Sequence, residues 1–513
     1  MRNRLLSVLS GLIVCGAVAQ TQSGYREVLN SVTGASQVIA IPGMPGSTLR
    51  LESSDAKLLE SFNWAKRQAM AYVFEGDPAG PWYEAVEPGR EGFCMRDVAH
   101  QAMGGHALGL ARHNLNMLRK FAENVSESRD WCSFWEIDRH NRPAPVDYKS
   151  DSEFWYNLPA NFDVLDACYR MYLWTGDLTY ISDPAFLNFY DRTVNEYVER
   201  WALGLDHVMK RPRLLNIRGM YDPANKKFQA NRGIPGYDEV NKEYVVSSEL
   251  IAAQYAAYVA YARIQEIRGN ASLAREFFKK AEDVKALVNR SWWNEKEQYF
   301  YARLDKNRRF EGRSGVDLLY RDVVEDGPKL RSALGDGRSR GVEVQYRYGD
   351  PDMAYEQLLE MTTPGRSRLE YPEVSYAVIG AIVNGTMGIT QEAQPALLSS
   401  VAGSWVETQV KTLSGLGTKV AWAEIRNLPI RSNTVTVRHE GTNKTVFTNQ
   451  RGPALIWHAT FPGTHDTLLI NGKPVKARKE NGTLGREYSW ARVTVGGSGM
   501  VTVEVGRKAG PGS

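Results

Sequence analysis

The sequence predicts a mainly α fold: a barrel of paired helices followed by a small C-terminal antiparallel β domain. Three observations carry this. Apolar residues recur at helical spacing through much of the 513-residue chain, from about residue 53 to about 398. The segments between those helices are long and irregular, unlike the short connections of a four-helix bundle. From about Ser399 the period changes to short alternating runs separated by turn residues.

Residues 1–19 read as a signal peptide. A basic start, Met1-Arg2-Asn3-Arg4, precedes an apolar run from Leu5 to Val18, and Ala17-Val18-Ala19 stands before Gln20 as a cleavage signal. The run is too short to span a bilayer, and no later stretch reaches the roughly 18 apolar residues a membrane helix needs. The expectation is an exported protein, periplasmic or secreted, with no membrane association once the leader is removed. In residues 20–52, Ser36-Gln37-Val38-Ile39-Ala40-Ile41 and Ser47-Thr48-Leu49-Arg50-Leu51 flank a Pro/Gly turn, which predicts two short strands.

The barrel is expected over 53–398. Leu58, Phe62, Ala65, Ala69 and Val73 form one apolar helix face, and further helices are predicted over 97–123, 162–175, 184–203, 245–269, 272–289, 350–361, 374–387 and 391–398, with a shorter piece near 316–324. Thr175-Gly176-Asp177 and Arg268-Gly269-Asn270 are stop signals, and Gly104-Gly105 marks close packing or a kink. The β-sandwich-like domain, 399–513, is read from runs such as Thr434-Val435-Thr436-Val437 and Val501-Thr502-Val503-Glu504-Val505.

Lys plus Arg number 63 against 59 Asp plus Glu, a net charge of +4 with no block of one sign, which argues against nucleic acid and anionic membrane as partners. Beyond the leader, Cys94, Cys132 and Cys168 are too widely spaced for a zinc site, and buried thiols or one disulfide are expected. His100, His106 and His113 make no HExxH pair and read as core or solvated side chains. No phosphate-binding GxxxxGK[ST] and no GxSxG nucleophile elbow occurs, so neither a metal nor a cofactor is expected. The sequence leaves the oligomeric state open.

Chemistry is expected where acids crowd loops. Pro81 to Asp97 is a Pro/Gly-rich stretch leading into a helix, and it holds Trp82, Arg90, Glu91, Arg96 and Asp97. From the residues alone, the favoured reading makes Arg90 and Arg96 structural ion-pair partners and Asp97 a helix cap. The long segment from Ser126 to Pro159 combines Trp131, Trp135, Trp155 and Tyr156 with Glu136 and Asp138, and Asn161 and Asp163 follow it. Aromatic platforms beside short polar groups suit the apolar faces and hydroxyl rims of sugars, while core packing and helix capping are the competing uses.

Arg90-Glu91-Gly92-Phe93 followed by Asp97 resembles the acid-bearing loop of the six-hairpin glycosidases, especially the α-L-rhamnosidase family. Leu369-Glu370, then Ser375 to Val383 and Gly388-Ile389, resembles the base-bearing segment of that family and the helix behind it. Here the family has a Trp-Glu pair, the Trp is missing, and Pro372-Glu373 offers a second carboxylate. The resemblance implies an (α/α)6 barrel and an exo-acting, inverting glycoside hydrolase acting on an oligo- or polysaccharide. Within it Glu91 is the leading general acid, with Asp97 second or binding a hydroxyl. Glu370 is the base, with Glu373 and Glu343 behind it. Amide replacement of Glu91 or Glu370 is then expected to cost at least about a hundredfold in turnover. A polysaccharide lyase on a similar barrel, or a carbohydrate-binding protein without catalysis, are the alternatives.

Overall fold

The computed structural model describes residues 25–29, 36–40, 46–212, 221–222, 227–228, 232–237, 244–334, 339–391 and 409–506. The proposed leader and nearly all of the expected helix 391–398 lie outside them.

The helices are α1 (Ala56–Met70), α2 (Met95–Ala107), α3 (Ala111–Glu123), α4 (Pro159–Thr175), α5 (Thr179–Ser182), α6 (Pro184–Val194), α7 (Glu196–Arg200), α8 (Leu205–Val208), α9 (Ser248–Ile267), α10 (Ala271–Ser291), α11 (Asp317–Tyr320), α12 (Pro328–Ala333), α13 (Ser339–Tyr348), α14 (Pro351–Met361) and α15 (Pro372–Ala381). Their contacts run in a closed circuit: α2 packs on α4, α4 on α9, α9 on α11, α11 on α13, α13 on α15, and α15 back on α2. A second set backs this circuit, with α3 behind α2, α10 behind α9, α14 behind α13 and α1 behind α15.

Sequence explains which helices lie where. α4 and α9 are buried on nearly every side, whereas α3 and α10 bury one stripe and expose charged residues on the other. Side-chain caps start several of them: Asp55 accepts from Leu58 N at 2.7 Å, Ser247 from Leu250 N at 3.1 Å and Asp350 from Met353 N at 3.0 Å. The span expected as one helix over 97–123 is two, because Gly109 adopts φ +91° and turns the chain between α2 and α3. The span 184–203 likewise breaks, at Asn195, between α6 and α7. Gly104 does not kink α2. A Cβ there would stand 2.2 Å from the carbonyl oxygen of Tyr376, so the glycine lets α2 and α15 touch.

The C-terminal region forms a seven-stranded and a five-stranded sheet. Strand Asn433–Glu440 alternates buried and partly exposed residues, as its sequence period requires. The sheets meet through Phe447 and Trp457, whose rings stack at 5.1 Å. Segments flanking the helical region also join them. Arg50–Ser53 is an edge strand beside Trp422–Ile430, and Ile389–Gln391 pairs with Gln409–Leu413. Ser36–Ala40 pairs with Tyr25–Leu29 instead of with the strand after the Pro/Gly turn. Polar contacts dock the sheets on the helices: His106 Nε2 lies 3.0 Å from Pro429 O, and His439 Nε2 lies 2.9 Å from Met387 O. Burial lowers both imidazoles to about 4, so they sit there neutral. Cys94, Cys132 and Cys168 are free and buried. No helix among the described residues is long and apolar enough to cross a membrane.

Candidate active site

The Pro81–Asp97 stretch is held from beneath by carboxylates. Strand Gly92–Cys94 pairs with Glu136–Asp138, which brings the loop against the aromatic segment. Glu84 accepts from Glu91 N at 2.8 Å and also takes the N–H groups of Gly92 and Arg90. Burial nevertheless pushes its carboxyl up to about 7. The Arg90 guanidinium donates to Glu136 at 2.6 Å and to Asp147 at 2.9 Å. Both acids are buried and burial raises both, with the neighbouring Asp147 raising Glu136 further. Gly92 closes over them, since a Cβ there would approach Glu136 Oε1 to 2.7 Å. Glu91 points the other way. Its backbone is left-handed (φ +58°), and its side chain is 56% exposed and paired with Arg139 at 2.7 Å.

A second carboxyl pair forms where α2 and α15 begin. Asp97 lies in the first turn of α2 and Glu373 in the first turn of α15. Burial and the neighbouring Glu373 push the Asp97 carboxyl up to about 7, and the shift includes a hydrogen bond from Asp97 to Glu373. Both side chains keep partial solvent access. Arg368 pairs with Glu373 at 2.9 Å. Arg96 lies beside the pair, its guanidinium 4.1 Å over the ring of Tyr237.

Across from this pair, α4 contributes Asp163. The Tyr237 hydroxyl donates to it at 2.6 Å, His100 Nε2 lies at 3.3 Å, and Arg321 pairs with both Asp163 and Asp166. Burial opposes ionisation of Asp163, but Arg321, His100 and Tyr237 together hold it far below the usual carboxylate range. Arg170 pairs with Asp166 at 2.9 Å. Tyr237 is placed by its neighbours: Asn157 Nδ2 donates to Gly236 O at 2.5 Å, and Tyr237 N donates to Glu249 in the first turn of α9. Carboxylates at the first turns of α2, α9 and α15 sit at the positive ends of helix dipoles.

The expected site residues therefore divide. Arg96, Asp97, Asp163 and Glu373 come together, with Trp135 packed on Tyr156 and Tyr237 beside them. Trp155 is buried in a small cluster with Ile234 next to Trp135. Glu343 lies against Gly380 of α15. Arg90 and Glu136 form the sealed pair under the loop. Glu370 is exposed, ahead of α15. Trp82 is core, stacked on Phe74 at 4.3 Å with its indole N–H on Asp77. Trp131 carries Arg192 over its ring at 4.9 Å, and its carbonyl accepts from Asn161, which is itself fully buried. Asp138 caps its own turn, accepting from His140 N at 2.9 Å and Arg142 N at 3.0 Å. His100, Tyr237, Glu249, Arg321 and Arg368 were not singled out from sequence. His100 had a signal, since it follows Asp97 by one helical turn on the same face. Among the described residues no group of His, Cys, Asp and Glu is arranged to hold a metal ion.

The fold is similar to that of solved glycosidases. α-L-rhamnosidase from Dictyoglumus thermophilum superposes with a TM-score of 0.51 at 11% identity, covering 91% of this chain and 53% of that one. The chain has a six-hairpin glycosidase-like fold. α-L-rhamnosidase from Aspergillus terreus gives 0.51 at 12% identity over 89% of this chain and 53% of that one, and a sialidase gives 0.50 at 11% over 86% and 41%. The chain thus spans about half the length of these structures or less. No protein-family model and no curated protein matches the sequence.

Proposed function

We propose that the chain is an exported, exo-acting glycoside hydrolase and that the closed helix circuit is an (α/α)6 barrel with the site at the first turns of α2, α9 and α15. The observation that carries this is the Asp97–Glu373 pair. A carboxyl held near 7 by burial and a neighbouring acid keeps its proton in about half the molecules at pH 7 and is able to protonate a leaving oxygen. Asp97 is therefore favoured over Glu91 as the acid, because Glu91 is solvated and committed to Arg139.

Carboxyls that share a proton stand too close to flank a sugar. An inverting pair needs about 6.5–9.5 Å and a retaining pair about 5–5.5 Å. Asp97 and Glu373 thus act as one acid unit, and the partner carboxylate comes from elsewhere. Glu249 suits this role. It lies in the field of Arg96 together with Asp97 and Glu373, and its bond from Tyr237 N fixes its position. In this scheme Asp97 gives its proton to the glycosidic oxygen as the C–O bond breaks. Water adds at the anomeric carbon, and its proton goes to Glu249. Trp135 supplies an apolar face for the ring.

The test is a panel of aryl glycosides, with α-L-rhamnoside and glycuronides included, followed by release of the aryl alcohol. Turnover of at least one member, lost at least about a hundredfold in Asp97→Asn with folding retained, supports the reading. Saccharide binding with no turnover would instead identify a carbohydrate-binding protein.

A further inference from the structure

We propose that Arg96 anchors a carboxylate on the sugar, so that the substrate is a glycoside of a uronic acid; this rests on the hydrolase reading above. The neighbouring guanidinia are paired. Arg90 holds Glu136 and Asp147, Arg170 holds Asp166, Arg321 holds Asp163 and Asp166, and Arg368 holds Glu373. Arg96 differs. Among the described residues no carboxylate lies within ion-pairing distance of it, and its Nε is buried with no hydrogen-bond partner. Its guanidinium carbon lies 4.1 Å from the centre of the Tyr237 ring.

The Nε of Arg96 is withdrawn from water without an acceptor, which is costly, while the residue as a whole keeps partial exposure. The contact with the Tyr237 ring compensates weakly. Asp97, Glu373 and Glu249 are near enough for Arg96 to feel their charge, yet they do not pair with it. The proton held between Asp97 and Glu373 removes one negative charge from this neighbourhood, which lowers the repulsion an incoming anion meets. A carboxylate, planar and accepting at two oxygens, matches the donor fork of the Arg96 guanidinium. A sugar hydroxyl offers one oxygen, where a carboxylate offers two to the guanidinium fork.

The experiment uses the full-length protein with matched 4-nitrophenyl pairs, glucuronide against glucoside and galacturonide against galactoside in both anomers, and calorimetric titration with free glucuronate, galacturonate, glucose and galactose. The expected result is a uronide preferred over its neutral counterpart by at least about 30-fold in kcat/KM, the scale of a charge-assisted pair. In Arg96→Gln that ratio falls by a similar factor, chiefly through KM, and Arg96→Lys restores part of it. Thermal melting of each variant confirms folding. Turnover of neutral glycosides with no uronide preference keeps the hydrolase and overturns the anchor. Equal losses on both members of a pair in Arg96→Gln also overturn it. Uronate binding without turnover keeps the anchor and removes the hydrolase, whereas failure to bind either uronate removes the anchor.

Discussion

Two carboxyl pairs stand out in this molecule, each with an acid raised by burial and by its neighbouring acid, and their surroundings give them opposite characters. Glu136 and Asp147 are sealed beneath Gly92, and Arg90 donates to both. Asp97 and Glu373 keep solvent access, and the arginine nearest them in sequence, Arg96, stacks on Tyr237 and pairs with neither. The closed pair has its charge satisfied within the protein and acts as a strut for the loop. The open pair has a proton to give and an unpaired cation beside it. A raised carboxyl alone does not mark a reactive centre, since structural ion-pair networks also shift pKa values.

Breaking the strut gives the largest stability effect. Arg90→Met leaves two buried acids without their cation and is expected to cost about 3–5 kcal/mol in chemical denaturation. Breaking the open pair moves activity instead. Asp97→Asn and Glu373→Gln are each expected to lower kcat at least about a hundredfold, with stability near neutral pH changed far less than by Arg90→Met.

The pH response separates the two further. Asp97 is raised from its ordinary 3.8 to about 7, so between those values the folded state holds a proton that the unfolded state has released. Its contribution to stability is present below about 4 and lost as pH rises through about 7. Asp97→Asn therefore gains in melting temperature relative to wild type on going from pH 5 to pH 8, and wild-type kcat falls as pH rises through about 7. A constant difference in melting temperature across that range would contradict the assignment. The smallest effect is expected at Glu91, where the exposed pair with Arg139 contributes at most about 1 kcal/mol. Glu91→Gln should leave turnover within about threefold of wild type, measured on the same substrate.

Much of the architecture was legible in the sequence, because helical spacing from Leu58 onward and strand alternation around Thr434 report burial directly. The breaks at Gly109 and Asn195 were less so, since apolar spacing continues across them. Within the candidate cluster, Arg96, Asp97 and Asp163 were named from sequence because they lie on or next to helix starts. Glu373 had a clear local signal as well. Pro372 occupies the first turn of α15, which puts Glu373 inside the helix and leaves Glu370 in the exposed segment before it. Glu91 and Glu370 were read from family spacing, which carries no information on exposure. Tyr237, Glu249 and Arg321 meet the others only through long-range packing, which no local pattern records.

The most direct test is the turnover of Asp97→Asn and Glu91→Gln side by side, on whichever aryl glycoside the wild-type chain cleaves. A loss of at least about a hundredfold in the first and within about threefold in the second is the expected result. The reverse order would place the acid on the exposed loop and contradict the assignment to the Asp97–Glu373 pair.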